Sequence, residues 1–232
     1  MALLVRTWNL YHGRTKPNSG RTYLERAVRL ISEDEPDLVG LQEVPVWALA
    51  RLEGWSGMTA VGATARPALG GPFARRVTAL APDLFRSALT GQANALLVRR
   101  VHRVASARKT RLNPGYPRER RVCQIVSVEA DGRRLRVANL HATAHDERQA
   151  RKEIARVGKL VAGDDPTVVC GDFNVPATGI AGFSEPLGRI DQILVRGIRL
   201  KRPPKPWAEE RRRVDGRLLS DHAPVEAVLE WP

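Results

Sequence analysis

Cysteine, methionine and aromatic residues are scarce in this 232-residue chain: two Cys, two Met, and 5% Phe, Trp and Tyr together. Two cysteines cannot build a disulfide-stapled scaffold or a four-thiolate metal cage. Cys123 and Cys170 both stand inside apolar runs (VCQIV and TVVCG), where a thiol reads as a small buried hydrophobe. Long hydrophobic runs are also missing. No stretch approaches the roughly 18–20 apolar residues that cross a bilayer. The first ten residues lack the small-residue cleavage site of a signal peptide, so a cytoplasmic protein is expected. No internal repeat appears, and the Pro-rich KRPPKP (201–206) is too short to separate domains.

Negative charge is the remaining shortage. Against 38 Lys+Arg stand 25 Asp+Glu, a formal net charge of +13. Such an excess favours a polyanionic partner: nucleic acid, a phosphorylated ligand or an anionic lipid surface. Charge alone does not choose among them, and the excess is mostly Arg in an Ala- and Arg-rich chain, a bias that genome composition also produces. With 43% hydrophobic and 27% charged residues the chain has the composition of a folded domain. Its length allows a sizeable core, and residues 1–232 are expected to form a single domain.

Short apolar runs alternate with helical patterns. LLVRTW (3–8), DLVGLQ (37–42), NALLVR (94–99), VCQIVSVE (122–129), RLRVANL (134–140), TVVCG (167–171), IDQILV (190–195) and APVEAVLE (223–230) are predicted strands. Asp131-Gly132 marks a turn between the fourth and fifth of these. Thr22 and Glu25 fit a capping box opening a helix that ends at Pro36, and Asp146 is placed to cap a helix over 146–162. Residues 54–92, rich in Gly, Ala and Pro, read as loops with short elements. Strands and helices mixed over the whole length predict one α/β or α+β domain.

The polar residues fall where these strands end. Asn9, Gln42-Glu43, Asn139-Leu140-His141 and Asp172-Phe173-Asn174 follow strands, while Asp191 opens one and Ser220-Asp221-His222 precedes another. Each alone has a plain explanation as a cap or turn former. Together they gather hard oxygen donors (Glu43, Asp172, Asp221, Asn9), suited to Mg²⁺ or Mn²⁺, with too few soft donors for zinc. His141 and His222 can donate to a phosphate or move a proton, and Asp191 can fix an imidazole tautomer. Carboxylates, amides and imidazoles around a hard metal form a site for attack on phosphorus.

The ordered motifs TWNLYHG, DLVGLQEV, NLHAT, GDFNVP, RIDQILV and SDHAPV, spanning residues 7–225, resemble the endonuclease/exonuclease/phosphatase superfamily. The resemblance implies a four-layer α-β-β-α sandwich of the deoxyribonuclease I type: two packed mixed sheets, helices outside, and the site at one edge. It implies Glu43 as principal metal ligand, with Asn9 and Asp221 near the metal and its water. Asp172 would orient or deprotonate the attacking water, and Asn174 would bond the phosphate or that water. His141 and His222 would contact phosphate oxygens, with Asp191 paired to His222. Softer matches make Asn94 and Arg121 substrate-binding candidates, and His12 joins them because Tyr11 stands where the exonuclease III pattern often has a carboxylate or amide.

Asp172 and Asp191 are only 19 positions apart, which leaves no room for the insertions with which apurinic endonucleases grip distorted DNA, and the Trp-Cys-Asp-Arg signature of inositol polyphosphate 5-phosphatases is absent. A metal-dependent nuclease acting on DNA or RNA is the leading expectation. A phosphatase or phospholipid phosphodiesterase with the same site is the alternative, and a non-catalytic basic binding module a third. Residues 99–121 hold nine Lys/Arg against one acid, and residues 196–217 nine against three. These two segments are expected to flank the site and contact phosphates. Arg148, Arg151, Lys152, Arg156 and Lys159 are spaced to share an outer helical face.

Overall fold

Aliphatic runs buried on both faces pair into two main sheets in the computed structural model, which describes residues 2–68, 91–115 and 119–232. The six-stranded sheet runs β11 (Arg199–Pro206), β14 (Val225–Glu230), β1 (Ala2–Asn9), β3 (Leu38–Val44), β5 (Gln92–Val98), β4 (Thr59–Arg66). The five-stranded sheet runs β10 (Asp191–Arg196), β9 (Thr167–Asp172), β8 (Arg133–His141), β7 (Val122–Ala130), β6 (Arg103–Arg111). Both are mixed: β1 pairs parallel with β3 and β8 with β9, while the other pairs are antiparallel. A small third sheet joins β12 (Arg213–Val214), β13 (Arg217–Leu219) and β2 (Thr15–Lys16).

Three apolar clusters define four layers. Leu3, Val5, Leu96, Val126, Val137, Val168 and Ile193 pack between the sheets. Trp8, Val39 and Leu41 face outward from the first sheet against Val28 and Ile31 of α1 (Leu24–Ser32) and Leu52 of α2 (Leu52–Ser56). Ile125, Leu140 and Phe173 face outward from the second against Ile154 and Val157 of α3 (Glu147–Leu160). The α-β-β-α sandwich is therefore present, with few helices.

Several local expectations change. The Thr22–Glu25 capping box does not form: Thr22 Oγ1 accepts from Leu24 N at 3.3 Å, and Glu25 instead pairs with Arg29 one turn on. Asp146 does cap α3, accepting from Gln149 N at 3.0 Å. Within 54–92, residues 59–66 form strand β4, whose polar, half-buried pattern hid it; residues 69–90 lie outside the described residues. Strand β6 was missed because an exposed edge strand carries no apolar alternation. KRPPKP belongs to β11, where its prolines are tolerated because β11 is an edge and its pairing with β14 slips in register beside them.

Candidate active site

Register assembles the site before any side chain is considered. At one end of the second sheet His141 of β8 pairs with Asp172 of β9, which pairs in turn with Asp191 of β10. In the first sheet, parallel pairing sets Asn9 of β1 beside Gln42 of β3. Glu43 follows on a bulge: Leu41 pairs with Ala95 and Val44 with Ala93, so β3 carries one extra residue there. Glu43 takes φ +54°, and a bulge is a device that re-aims a side chain. Tyr11, His12, Asn174 and Ser220 are also left-handed non-glycine residues, with φ between 48° and 65°. Backbone strain thus gathers around this edge.

The close approach of β9 to β8 requires Gly171. Its φ is +137°, and a Cβ there would lie 1.9 Å from the Leu140 carbonyl oxygen. The loop bearing Asp221 and His222 is tied to the first sheet, because Ser220 Oγ donates to Asn9 O at 2.7 Å and accepts from His222 N at 3.1 Å. Trp8 Nε1 and Arg212 Nη1 both donate to the His222 carbonyl, at 3.0 and 3.2 Å.

Asp172, 1% exposed, sits at the centre. Asn9 Nδ2 donates to its Oδ2 at 2.9 Å and Asn174 N to its Oδ1 at 3.0 Å. The same Oδ2 lies 3.5 Å from His141 Nε2 and 3.9 Å from His222 Nε2. Glu43 lies 3.3 Å from His12 Nε2 and 3.9 Å from His141 Nε2. Asp221 is 3.9 Å from His222 and 3.7 Å from Lys16 Nζ. His222 Nδ1 is bonded to Asp191 Oδ2 at 2.8 Å.

The two expected histidines differ in charge. Burial, then Arg121, hold His141 well below the ordinary 6.5, so it is neutral. Arg121 Nη1 at 3.0 Å and the Gln92 side-chain amide at 3.1 Å both face its Nδ1, while its Nε2 faces Asp172 and Glu43. Burial pulls His222 down, but the hydrogen bond and charge of Asp191 outweigh it, with help from Asp172 and Asp221, and raise it to about 9. Burial and the Asp191 charge push Asp172 up to about 7, and burial raises Glu43. His12 falls to about 4 through burial. A bound dication would favour the ionised carboxylates.

Asn9, Glu43, His141, Asp172, Asn174, Asp191, Asp221 and His222 thus lie at one sandwich edge, with His12 against Glu43. Arg121 is buried, its guanidinium on His141 and on Glu119 Oε2 at 3.1 Å. Asn94 faces inward, donating to Val122 O at 3.1 Å. Of the run Arg211-Arg212-Arg213, Arg212 is buried and also donates to Ser220 O at 3.0 Å, while Arg211 stacks on Trp207 and Arg213 pairs with Glu209. This run is consumed inside the chain, which charge counting does not reveal.

One supporting residue was missed altogether. Glu153 of α3 is 0% exposed and accepts from Thr143 N and Thr143 Oγ1, both at 2.7 Å, from Asn113 Nδ2 at 2.8 Å and from Gln149 Nε2 at 3.0 Å. Asn113 Oδ1 in turn accepts from Arg121 N at 3.3 Å. An acid on the buried stripe of an otherwise amphipathic helix, beside Ile154, was the available signal.

A two-sheet α/β sandwich whose edge gathers acids, amides and a histidine–aspartate pair defines the class of phosphoester hydrolases. A model of the Endonuclease/Exonuclease/phosphatase family matches residues 7–222, and the chain belongs to that family. Comparison with curated proteins finds no match. Among solved structures, the chain resembles an endonuclease/exonuclease/phosphatase from Bacteroides vulgatus at 20% identity and a TM-score of 0.74, with 100% of each chain covered. It also resembles a mannosyl-6-phosphatase from Bacteroides thetaiotaomicron (17%, TM-score 0.70, 99% of this chain and 100% of that one). TDP2 from C. elegans matches at 16% and 0.71, covering 99% of this chain and 75% of that one. At such identities these likenesses show the shared fold.

Proposed function

We propose that residues 1–232 form one catalytic domain that hydrolyses phosphodiester bonds of nucleic acid with Mg²⁺ or Mn²⁺. The observation carrying this reading is the convergence of Glu43, Asp172 and Asp221 with a neutral and a charged histidine at one edge of a chain of net charge +13.

The donor chemistry fits a hard dication. Among the described residues, the group whose potential ligand atoms all fall within 4.8 Å of one another is Asp172, Asp191 and His222. That set differs from Glu43, Asn9 and Asp221. His222 Nδ1 and Asp191 Oδ2 are already bonded to each other, so an oxygen set centred on Glu43 suits Mg²⁺ better. When bound there, the ion would polarise a phosphoryl oxygen and acidify a water.

The chain's own groups do the rest. Asp172, held by Asn9 and the Asn174 amide, orients the attacking water and takes its proton. His141 donates its Nε2 proton to a phosphate oxygen, a role that needs the tautomer protonated at Nε2. His222, charged through Asp191, stabilises the negative charge that grows on phosphorus and leaving oxygen. A phosphatase acting on a small phosphorylated molecule is the second reading, favoured by a cavity bordering His222.

The test is a panel of plasmid, single-stranded oligonucleotide, RNA, inositol phosphates, sugar phosphates and phospholipids, assayed with each metal and with EDTA. Metal-dependent cleavage of nucleic acid that Asp172→Ala abolishes is expected. Turnover confined to small phosphomonoesters would replace this reading with the second.

A further inference from the structure

Beside the dyad lies a cavity of about 480 Å³, within the size range of small-ligand sites. Asp191, Asp221 and His222 form the wall it shares with the catalytic edge. The remaining wall combines two exposed cations, Lys16 and Arg189, and the buried Arg212, whose Nη1 is already spent on backbone carbonyls, with the apolar faces of Pro176, Ile190 and Pro206.

Both exposed cations are held by ordered backbone. Lys16 sits on β2, paired with Leu218 of β13. Arg189 follows a turn pinned by Gln192, which is 0% exposed: its Nε2 donates to Arg189 O and its Oε1 accepts from Leu187 N, both at 2.8 Å. Surface arginines elsewhere are commonly paired, as Arg29 with Glu25, Arg99 with Glu35, Arg103 with Glu129 and Arg199 with Glu230. Among the described residues Arg189 has no carboxylate partner, and Lys16 reaches only Asp221, at 3.7 Å. Two underused cations thus overlook a space larger than one phosphate, with an apolar wall suited to the face of a ring.

We propose that this cavity takes the nucleotide unit next to the scissile ester on the His222 side, with that unit's far phosphate held between Lys16 and Arg189. The inference rests on the phosphodiesterase reading and adds to it a preference for substrates bearing a second phosphate one nucleotide away. Contacts to such a phosphate place the substrate without reading its sequence.

Three dithymidine phosphodiesters test it: one without a terminal phosphate, one with a 5′-terminal phosphate and one with a 3′-terminal phosphate. Their kcat/KM values are measured with Mg²⁺ and with Mn²⁺. One phosphorylated form should exceed the bare dinucleotide by roughly tenfold, the scale of a charge-assisted contact. Arg189→Glu, an exposed change checked for folding by circular dichroism, should bring that ratio near 1, and Lys16→Ala should lower it in the same direction. Cleavage of all three at equal rates by the wild type would overturn the subsite while leaving the phosphodiesterase reading intact. A preference that survives in both variants would overturn it as well. Failure to cleave any of the three, with sugar or inositol phosphates turned over, would remove the phosphodiesterase reading and the subsite together.

Discussion

Glu153 makes no contact with the catalytic edge, yet replacing it should slow catalysis more than it weakens substrate binding. Its carboxylate is the common acceptor for the turn after His141 and, through Asn113, for the loop that carries Arg121. In Glu153→Ala the buried Thr143 N–H loses its acceptor and the charge-assisted bonds from Thr143 Oγ1 and Asn113 disappear. Asn113 retains Glu119 O at 3.0 Å, and Gln149 can turn to water. An orphaned buried donor at about 1–3 kcal/mol plus two lost bonds to a charged group at about 1.5–3 each amounts to roughly 4–9 kcal/mol. For a chain of this size each kcal/mol lowers Tm by about 2–4 °C. Glu153→Gln keeps the volume and one acceptor, and should cost roughly 1–2 kcal/mol on the same basis. Assayed well below its Tm, the Gln variant should show kcat down roughly 10–100-fold with KM nearly unchanged. His141 and Arg121 would lose registry, and displacements near 1 Å cost about that much in rate. Wild-type kcat in a folded Glu153→Gln protein would refute the positioning argument, and a pure KM increase would do the same.

Two other predictions concern the frame. The Arg6 hydrogen bond holds the Asp34 carboxyl below its usual 3.8, with the Arg6 and Arg211 charges adding to it. A depressed folded-state pKa gives stability that is present above 3.8 and is lost as pH falls through the folded value. Asp34 is half exposed, so the gap in Tm between wild type and Asp34→Asn should be modest at neutral pH and close in acid; thermal melts showing a gap independent of pH would contradict this. Gly171→Ala places a Cβ 1.9 Å from Leu140 O and should cost more than about 4 kcal/mol, lowering soluble yield and the denaturant midpoint. Gly163→Ala, also left-handed (φ +114°) but with open space around it, should cost only about 1 kcal/mol, so equal losses in the two would show that backbone conformation and not the clash is responsible.

Local chemistry determined more of this protein than its low similarity to known structures would suggest. Eight strands were legible because their aliphatic runs are short and bounded by polar residues, and Asp146 was legible as a cap because capping is a three-residue interaction. The conjunction of Glu43, Asp172, Asn174 and His222 pointed to phosphoryl chemistry because few sites need acids, amides and imidazoles together. Strands β4, β6 and β11 stayed hidden, since edge and half-exposed strands owe their pairing to a neighbour and not to their own pattern. Only the tertiary structure separated the two histidines, because burial, aided by Arg121 20 positions away, keeps His141 neutral, while Asp191, 31 positions away, keeps His222 charged. It also divided the arginines into those spent on carbonyls and carboxylates, such as Arg212 and Arg6, and those left facing a cavity, such as Arg189. Net charge is a sum over residues, and a sum carries no information about which of them are already paired.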